Sequence, residues 1–436
     1  MKRTEFSSHL LREKYFLVEH DSGLPIYVFP KKLTGIYALF ATKYGSVDST
    51  FLADGVEITV PDGIAHFLEH KLFENTDGSD SFSRFSALGA DANAYTSYQR
   101  TAYLFSCTEH FEESLEELLT FVTNPYFTEQ SVKKEQGIIA EEIRMYEDSP
   151  WDRCQRLLLC ALYHEHPVRK NICGSPTSIR KITPELLYRC HRVFYDLSNM
   201  ALVVCGDVTV EQVLSIADRV LPQKKVSHSV ERILPEEPPR VAKRSVECRM
   251  QVSKPLFSIG VKDPVIPSDP KDRLRRDAAM TLLDEILFSR SGELYNTLFE
   301  EGIITPSFFS GYSCTDSFAY HCVSGESDTP ETVLERIKAY ISEVIEKGID
   351  KEVFERCRRV LYSDELRAYD STEEIANRLL SFVFDDAEMF SYPELLQDIT
   401  LTELEELLKD SFLNDYFAIS IVYPLEDERK ENEQYE

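Results

Sequence analysis

Three side chains within five consecutive residues, His66, Glu69 and His70, carry the first chemistry the sequence offers. On a helix turning about 100° per residue, His70 sits about 40° from His66, and Glu69 about 60° to the other side. One helical face then presents two imidazoles a turn apart with a carboxylate beside them. That spacing suits one divalent ion, and a zinc centre that does chemistry needs a third protein ligand and an open position for water. Downstream, Glu135 and Glu142 stand seven residues apart in the run EQGIIAEE and so share a helical face. Ile138 and Ile139 lie between them, so the face is expected to be buried, where two carboxylates need a cation or other partners. Glu141 is expected to point off that face, and Glu74 to be an ordinary carboxylate at a helix end.

The elements that must hold these groups follow from periodicity and turn chemistry. A strand is expected over 23–29, and a second, rich in aromatic and β-branched residues, over 35–41. The motif helix should start at Asp62 as N-cap and run to about Phe73. Strands over 92–98 and 101–105 precede amphipathic helices over 111–122 and 128–145. The region 157–195 reads as mostly helical, and 200–210 (MALVVCGDVTV) as a buried strand ending in a turn. Residues 222–246 contain four prolines, a mixed charge run and no periodicity, the composition of a linker.

Beyond the linker the order recurs: strand material at 255–261, a helix over 275–288, strands within 308–323, helices over 332–346 and 352–368, and a last strand at 416–423. The fold class expected is α/β (α+β): two homologous repeats, each a mostly antiparallel sheet packed with helices. Their bounds are 1–221 for a metal-binding catalytic half, 222–246 for the linker and 247–436 for a metal-free half. Only the first carries the two histidines.

Composition narrows the function class. With 75 acidic against 48 basic side chains the formal net charge is −27, which repels phosphate backbones and anionic lipid. Nucleic-acid and membrane-surface roles are therefore disfavoured. No run approaches the ~18 apolar residues of a membrane span, and Glu13 and Lys14 interrupt the N-terminal segment before it could serve as a secretory signal. The ten cysteines include no CxxC pair and are expected to be buried free thiols in a reducing, cytoplasmic setting.

His-x-x-Glu-His is the inverted zinc signature of the inverzincins. With GIAHFLEHKLFEN, DANAYTSYQRTAYLF, EQGIIAEEI, SIRKITPELL and NMALVVCGDV around it, the chain resembles the pitrilysin/insulinase family of zinc metallopeptidases over most of residues 20 to 215. The second half resembles the family's metal-free repeat weakly, best in LLDEILFSRSGELYNTLFEEG, in the manner of two-domain bacterial members and processing-peptidase subunits. The resemblance implies one Zn2+ per chain on His66, His70 and Glu142, with Glu69 as general base and Glu135 supporting a histidine. It further implies that Asn93, Ala94 and Thr96 lie on the edge strand that holds an extended peptide substrate. The implied activity is a zinc-dependent endopeptidase acting on peptides or short unfolded polypeptides. One departure stands out: where many members carry an Arg and a Tyr seven residues apart in the metal-free half, this chain has Phe299 and Pro306. Either Tyr312 or Tyr320 compensates, or a homologous subunit in a clam-like homo- or heterodimer supplies the donors. Two other readings stay open, a catalytically silent or accessory subunit of a processing complex, and a metal hydrolase acting on non-peptide substrates.

Overall fold

The computed structural model describes residues 1–222 and 229–425; within the linker reading, 223–228 lie outside the described residues. In chain order the strands begin with β1 (Lys2–Ser8), β2 (Glu13–Glu19), β3 (Pro25–Pro30), β4 (Ile36–Thr42), β5 (Thr50–Ala53) and β6 (Val56–Thr59). Next come β7 (Asp91–Thr96), β8 (Thr101–Cys107), β9 (Met200–Gly206) and β10 (Val230–Arg232). The last are β11 (Ser245–Met250), β12 (Leu256–Lys262), β13 (Phe309–Cys314), β14 (Ala319–Glu326) and β15 (Phe417–Pro424).

A seven-stranded sheet runs β1-β2-β3-β9-β4-β8-β7, and a five-stranded sheet runs β11-β15-β12-β14-β13. In the first, β3 and β9 are parallel and every other pair antiparallel; in the second, β11 and β15 are parallel and every other pair antiparallel. The five strands β3-β9-β4-β8-β7 thus repeat, in order and in direction, as β11-β15-β12-β14-β13. The chain is built of two like, mostly antiparallel α/β halves, and the strand pattern carries the duplication.

The helices divide less simply. One compact unit comprises Met1–Ile143, Lys170–Pro235 and Ser363–Ser391; the other comprises Arg144–Arg169, Glu236–Tyr362 and the chain from Tyr392 on. A single cut at 222–246 therefore separates the two large sheets but not the helices. In the first unit, β4 alternates between two cores. Ala38 and Phe40 join the helices Phe111–Thr123, Pro184–Phe194 and Val210–Val220 on one face. Leu39 and Ala41 meet Ile375, Leu379 and Leu380 of the helix Thr372–Phe384 on the other. Those three helix residues are fully buried, each contributing about 2 kcal/mol of apolar burial. In the second unit the corresponding face is covered by the helix Pro150–Leu162, where Cys154 packs with Leu256 and Val422. Both faces of β9 and β12 are covered, which is why every residue of those strands is buried.

Several elements differ from expectation. Strands β1, β2, β5 and β6 had no reading in sequence, and β10, inside the proline-rich segment, pairs with β5. Helix occupies Pro150–Leu162 and Pro184–Phe194, while most of 163–183 is loop and short turns. The strand expected over 200–210 ends at Gly206, and Val210 opens a helix that Thr209 and Gln212 cap reciprocally. Among the described residues no helix is long and apolar enough to cross a membrane.

Candidate metal centre

The motif helix spans Ile64–Leu72. Its N-cap is Gly63, not Asp62: Gly63 has φ 92° and offers no side-chain cap, while the Asp62 carboxylate accepts from Lys170 Nζ at 2.9 Å. A Cβ on Gly63 would lie 2.4 Å from the Cys173 carbonyl oxygen, and one on Gly174 (φ 78°) 2.4 Å from that of Asp62. The two glycines let these backbones touch and so fix where the helix starts. Ile64, Phe67, Leu68 and Leu72 enter the core, which turns His66, Glu69 and His70 to the remaining face.

The second helix, Glu129–Asp148, buries Val132, Glu135, Ile139 and Ile143. Ile138, expected on that face, is 46% exposed, because the buried stripe is centred nearer Ile139. Glu141 is exposed, as expected. Gln136 Nε2 donates to the Ile182 carbonyl at 3.2 Å, tying this helix to the loop before Pro184–Phe194.

The two helices bring His66, His70 and Glu142 together. Glu142 Oε1 lies 3.5 Å from His66 Nε2, and Oε2 lies 3.5 Å from His70 Nε2. All three ligand atoms fall within 4.8 Å of one another, making the group that could hold a metal among the described residues. Zinc bonds of about 2.1 Å at tetrahedral angles would separate neighbouring ligand atoms by about 3.4 Å. Direct hydrogen bonds prefer about 2.9 Å. The spacing therefore fits shared ligation of one ion better than hydrogen bonding between the groups.

Glu135 stands behind this set and is itself buried. Its Oε1 lies 3.0 Å from His70 Nδ1, and an ionised carboxylate can only accept, so the proton sits on Nδ1 and the Nε2 lone pair is left for a metal. Burial lowers the His70 pKa, but the Glu135 hydrogen bond and the charges of Glu69, Glu135 and Glu142 outweigh it, and the net shift is upward. Lys71, fully buried, sits 2.6 Å from Glu74 Oε2 and 4.0 Å from Glu135 Oε2. Glu74, expected to be an ordinary helix-end group, is thus the near partner of a buried cation. Cys173 Sγ lies 3.8 Å from His66 Nε2, and burial, followed by Glu142 and Glu69, pushes the thiol up to about 12.

Glu69 is buried and not a member of the ligand group. Its Oε2 accepts from Thr96 Oγ1 at 2.6 Å. Thr96 ends β7, the edge strand of the large sheet. Asn93 and Ala94 are on the same edge, and the Ala94 N–H donates to the Asn93 side chain at 2.8 Å, not to β8. That amide points outward, as a strand able to accept an extended chain requires.

In the second unit, Phe299 stacks on Tyr295 with an interplanar angle of 6°, and the Pro306 carbonyl accepts from Arg290 at 2.8 Å. Tyr312, named in sequence as a stand-in donor, gives its proton to Asp263 Oδ2 at 2.7 Å, where Arg276 forms a two-pronged pair with the same carboxylate. Its hydroxyl is engaged in the fold. Spacing put the five residues on two helical faces, and the family resemblance gave each its expected role. Lys71, Cys173 and the Thr96–Glu69 bond had no reading in sequence, since each depends on a partner far along the chain.

Comparison with known proteins gives the family of the chain. The profile described as "Insulinase (Peptidase family M16)" matches residues 57–175, and "Peptidase M16 inactive domain" matches 181–361. A protein of Bacillus subtilis named "Uncharacterized zinc protease YmfH" is 38% identical, the match spanning 95% of this chain and 97% of that one. The crystal structure of an M16-like peptidase from Alicyclobacillus acidocaldarius superposes with a TM-score of 0.90 at 35% identity, covering 94% of this chain and 98% of that one. A protease from Helicobacter pylori shares the fold at 20% identity, with a TM-score of 0.81 over 94% of this chain and all of its own. With relatives this similar over nearly its whole length, the chain belongs to the insulinase family of peptidases, family M16.

Proposed function

We propose that the chain is a zinc-dependent endopeptidase that hydrolyses peptides or short unfolded polypeptides lying extended along β7. The observation that carries this reading is the pair of 3.5 Å separations from Glu142 to the two imidazoles. His66, His70 and Glu142 would hold the ion, and zinc bound there supplies Lewis acidity toward a peptide carbonyl and toward water. Glu69 takes the proton of the attacking water and returns it to the departing amine. Glu135 keeps His70 in the tautomer that ligates. The outward Ala94 amide, once released by Asn93, hydrogen-bonds the substrate backbone, and this gives affinity with little side-chain selectivity. Ten free cysteines fit a reducing compartment such as the cytoplasm.

The test is turnover of a mixed peptide library by wild type and Glu69→Gln, with zinc content measured in parallel. Glu69→Gln should keep its metal and lose at least ~100-fold in kcat. Chelation should abolish wild-type activity and zinc should restore it. Zinc-loaded wild type that cleaves no peptide, or Glu69→Gln that cleaves as fast, would sink the reading.

We further propose that a homologous subunit, in preference to the remaining candidate Tyr320, completes the site, because Phe299 and Pro306 carry no side-chain donor and Tyr312 is engaged by Asp263. With a second copy of this chain as that subunit, specific activity should rise with protein concentration alongside the dimer fraction measured by sedimentation. Full activity in a monomer refutes it.

A further inference from the structure

Among the described residues Glu69 has one hydrogen-bond partner, the hydroxyl of Thr96, at 2.6 Å. An ionised carboxylate has no proton to give, so Thr96 is the donor. The nearest other hydroxyl, Thr101 Oγ1, lies 3.3 Å from Thr96 Oγ1 and donates to the Tyr44 carbonyl at 2.9 Å. Its proton is engaged there, leaving the Thr96 proton to Glu69. Thr96 and Thr101 face each other as the last pair of the β7–β8 hairpin, and Ser97 N–H closes the turn onto the Arg100 carbonyl at 2.8 Å. A β-branched side chain at the end of a closed hairpin has little rotational freedom. Thr96 is a rigid clamp.

We propose that Thr96 is a positioning residue for the general base. Its hydroxyl pins Oε2, fixes the plane of the carboxylate and leaves Oε1 to exchange a proton with water and then with the amine. The proposal rests on the peptidase reading above. It also gives Thr96 a role separate from the substrate edge on which the family resemblance puts it, since the hydroxyl acts through Glu69.

The test compares Thr96→Val, Thr96→Ser and Thr96→Ala with wild type and Glu69→Gln, all as full-length zinc-loaded chain, on one fluorogenic peptide. Valine keeps the shape and β-branching but cannot donate. Its kcat should fall about 10- to 100-fold, as for a misplaced reacting group, with KM within about twofold and one zinc per chain. Serine restores the donor and should recover most of kcat. Thr96→Ala carries the same expectation as valine and decides the matter if the valine variant does not fold. Wild-type kcat in the hydroxyl-free variants, or a loss confined to KM, overturns the clamp while leaving the peptidase reading intact. Failure of zinc-loaded wild type to cleave any peptide overturns both.

Discussion

At Gly63 the chain turns at φ 92° within 2.4 Å, measured from a would-be Cβ, of the Cys173 carbonyl oxygen, and Gly174 meets the Asp62 carbonyl in the same way. Both obstacles are backbone, which cannot swing aside as a side chain could. A methyl at Gly63 adds left-handed strain of about 1–2 kcal/mol and a similar cost of overpacking. Gly63→Ala should therefore lower the melting temperature and, because this turn sets the start of the helix carrying His66 and His70, reduce zinc per chain. Unfolding and metal analysis of the same preparation check it; an alanine variant with wild-type values for both would remove the turn from the account of the site. His66, His70, Glu135 and Glu142 could be placed on two helical faces before any fold because their spacing is internal to two short segments, whereas the choice of Glu142 as the candidate ligand came from the family resemblance. What the spacing could not reveal is that Asp62, an ideal cap by type, spends its carboxylate on Lys170. Lys71 was hidden for a related reason: lysine is an exposed residue by habit, and its burial depends on Glu74 and on Glu135, 64 positions later in the chain.

Elements show the same division between local and distant information. Amphipathic helices such as Phe111–Thr123 and Pro330–Lys347 fell close to their expected bounds because their apolar stripes are internal to the segment. Strands β1 and β2 escaped because one face of a peripheral strand stays polar and the pattern is weak. No local pattern tells which sheet a helix will cover, so the exchange of Pro150–Leu162 and Thr372–Phe384 between units was not legible. Gly260 is where that exchange shows in β12. A Cβ there would lie 2.9 Å from the Cδ1 atoms of both Leu158 and Leu162. Strand propensity favours valine over glycine by roughly 1 kcal/mol, while overpacking costs about 1–3 kcal/mol, and both leucines are fully buried, with little space to swing into. Gly260→Val should thus lose stability in urea despite its better strand propensity. A gain would mean that the helix rests on β12 less closely than the leucine contacts require.

At the scale of the whole molecule, an excess of carboxylates makes acid the natural challenge, and two half-buried groups in different units shape how stability responds. Burial pushes His191 down to about 4, against the opposing pull of its hydrogen bond to the Val122 carbonyl. An unfolded histidine binds its proton near pH 6.5, so between about 6.5 and 4 the unfolded chain holds more protons than the folded one. Stability is complete above that window and falls as pH drops through it, by roughly 3 kcal/mol for this residue. Glu237 acts at lower pH. Burial raises its pKa, but Lys262 and the amides of His164, Glu165 and His166 outweigh that and hold it at about 2. Its contribution is whole above about pH 4.5 and is lost toward 2. Melting curves of metal-free protein, which remove zinc release as a second cause, should therefore show stability declining first below pH 6.5 and again below 4.5. His191→Gln can still donate to Val122 but cannot titrate, so it should flatten the first decline and leave the second. If its pH dependence matches wild type from 6.5 to 4, the acid sensitivity of the first unit lies in some group other than His191.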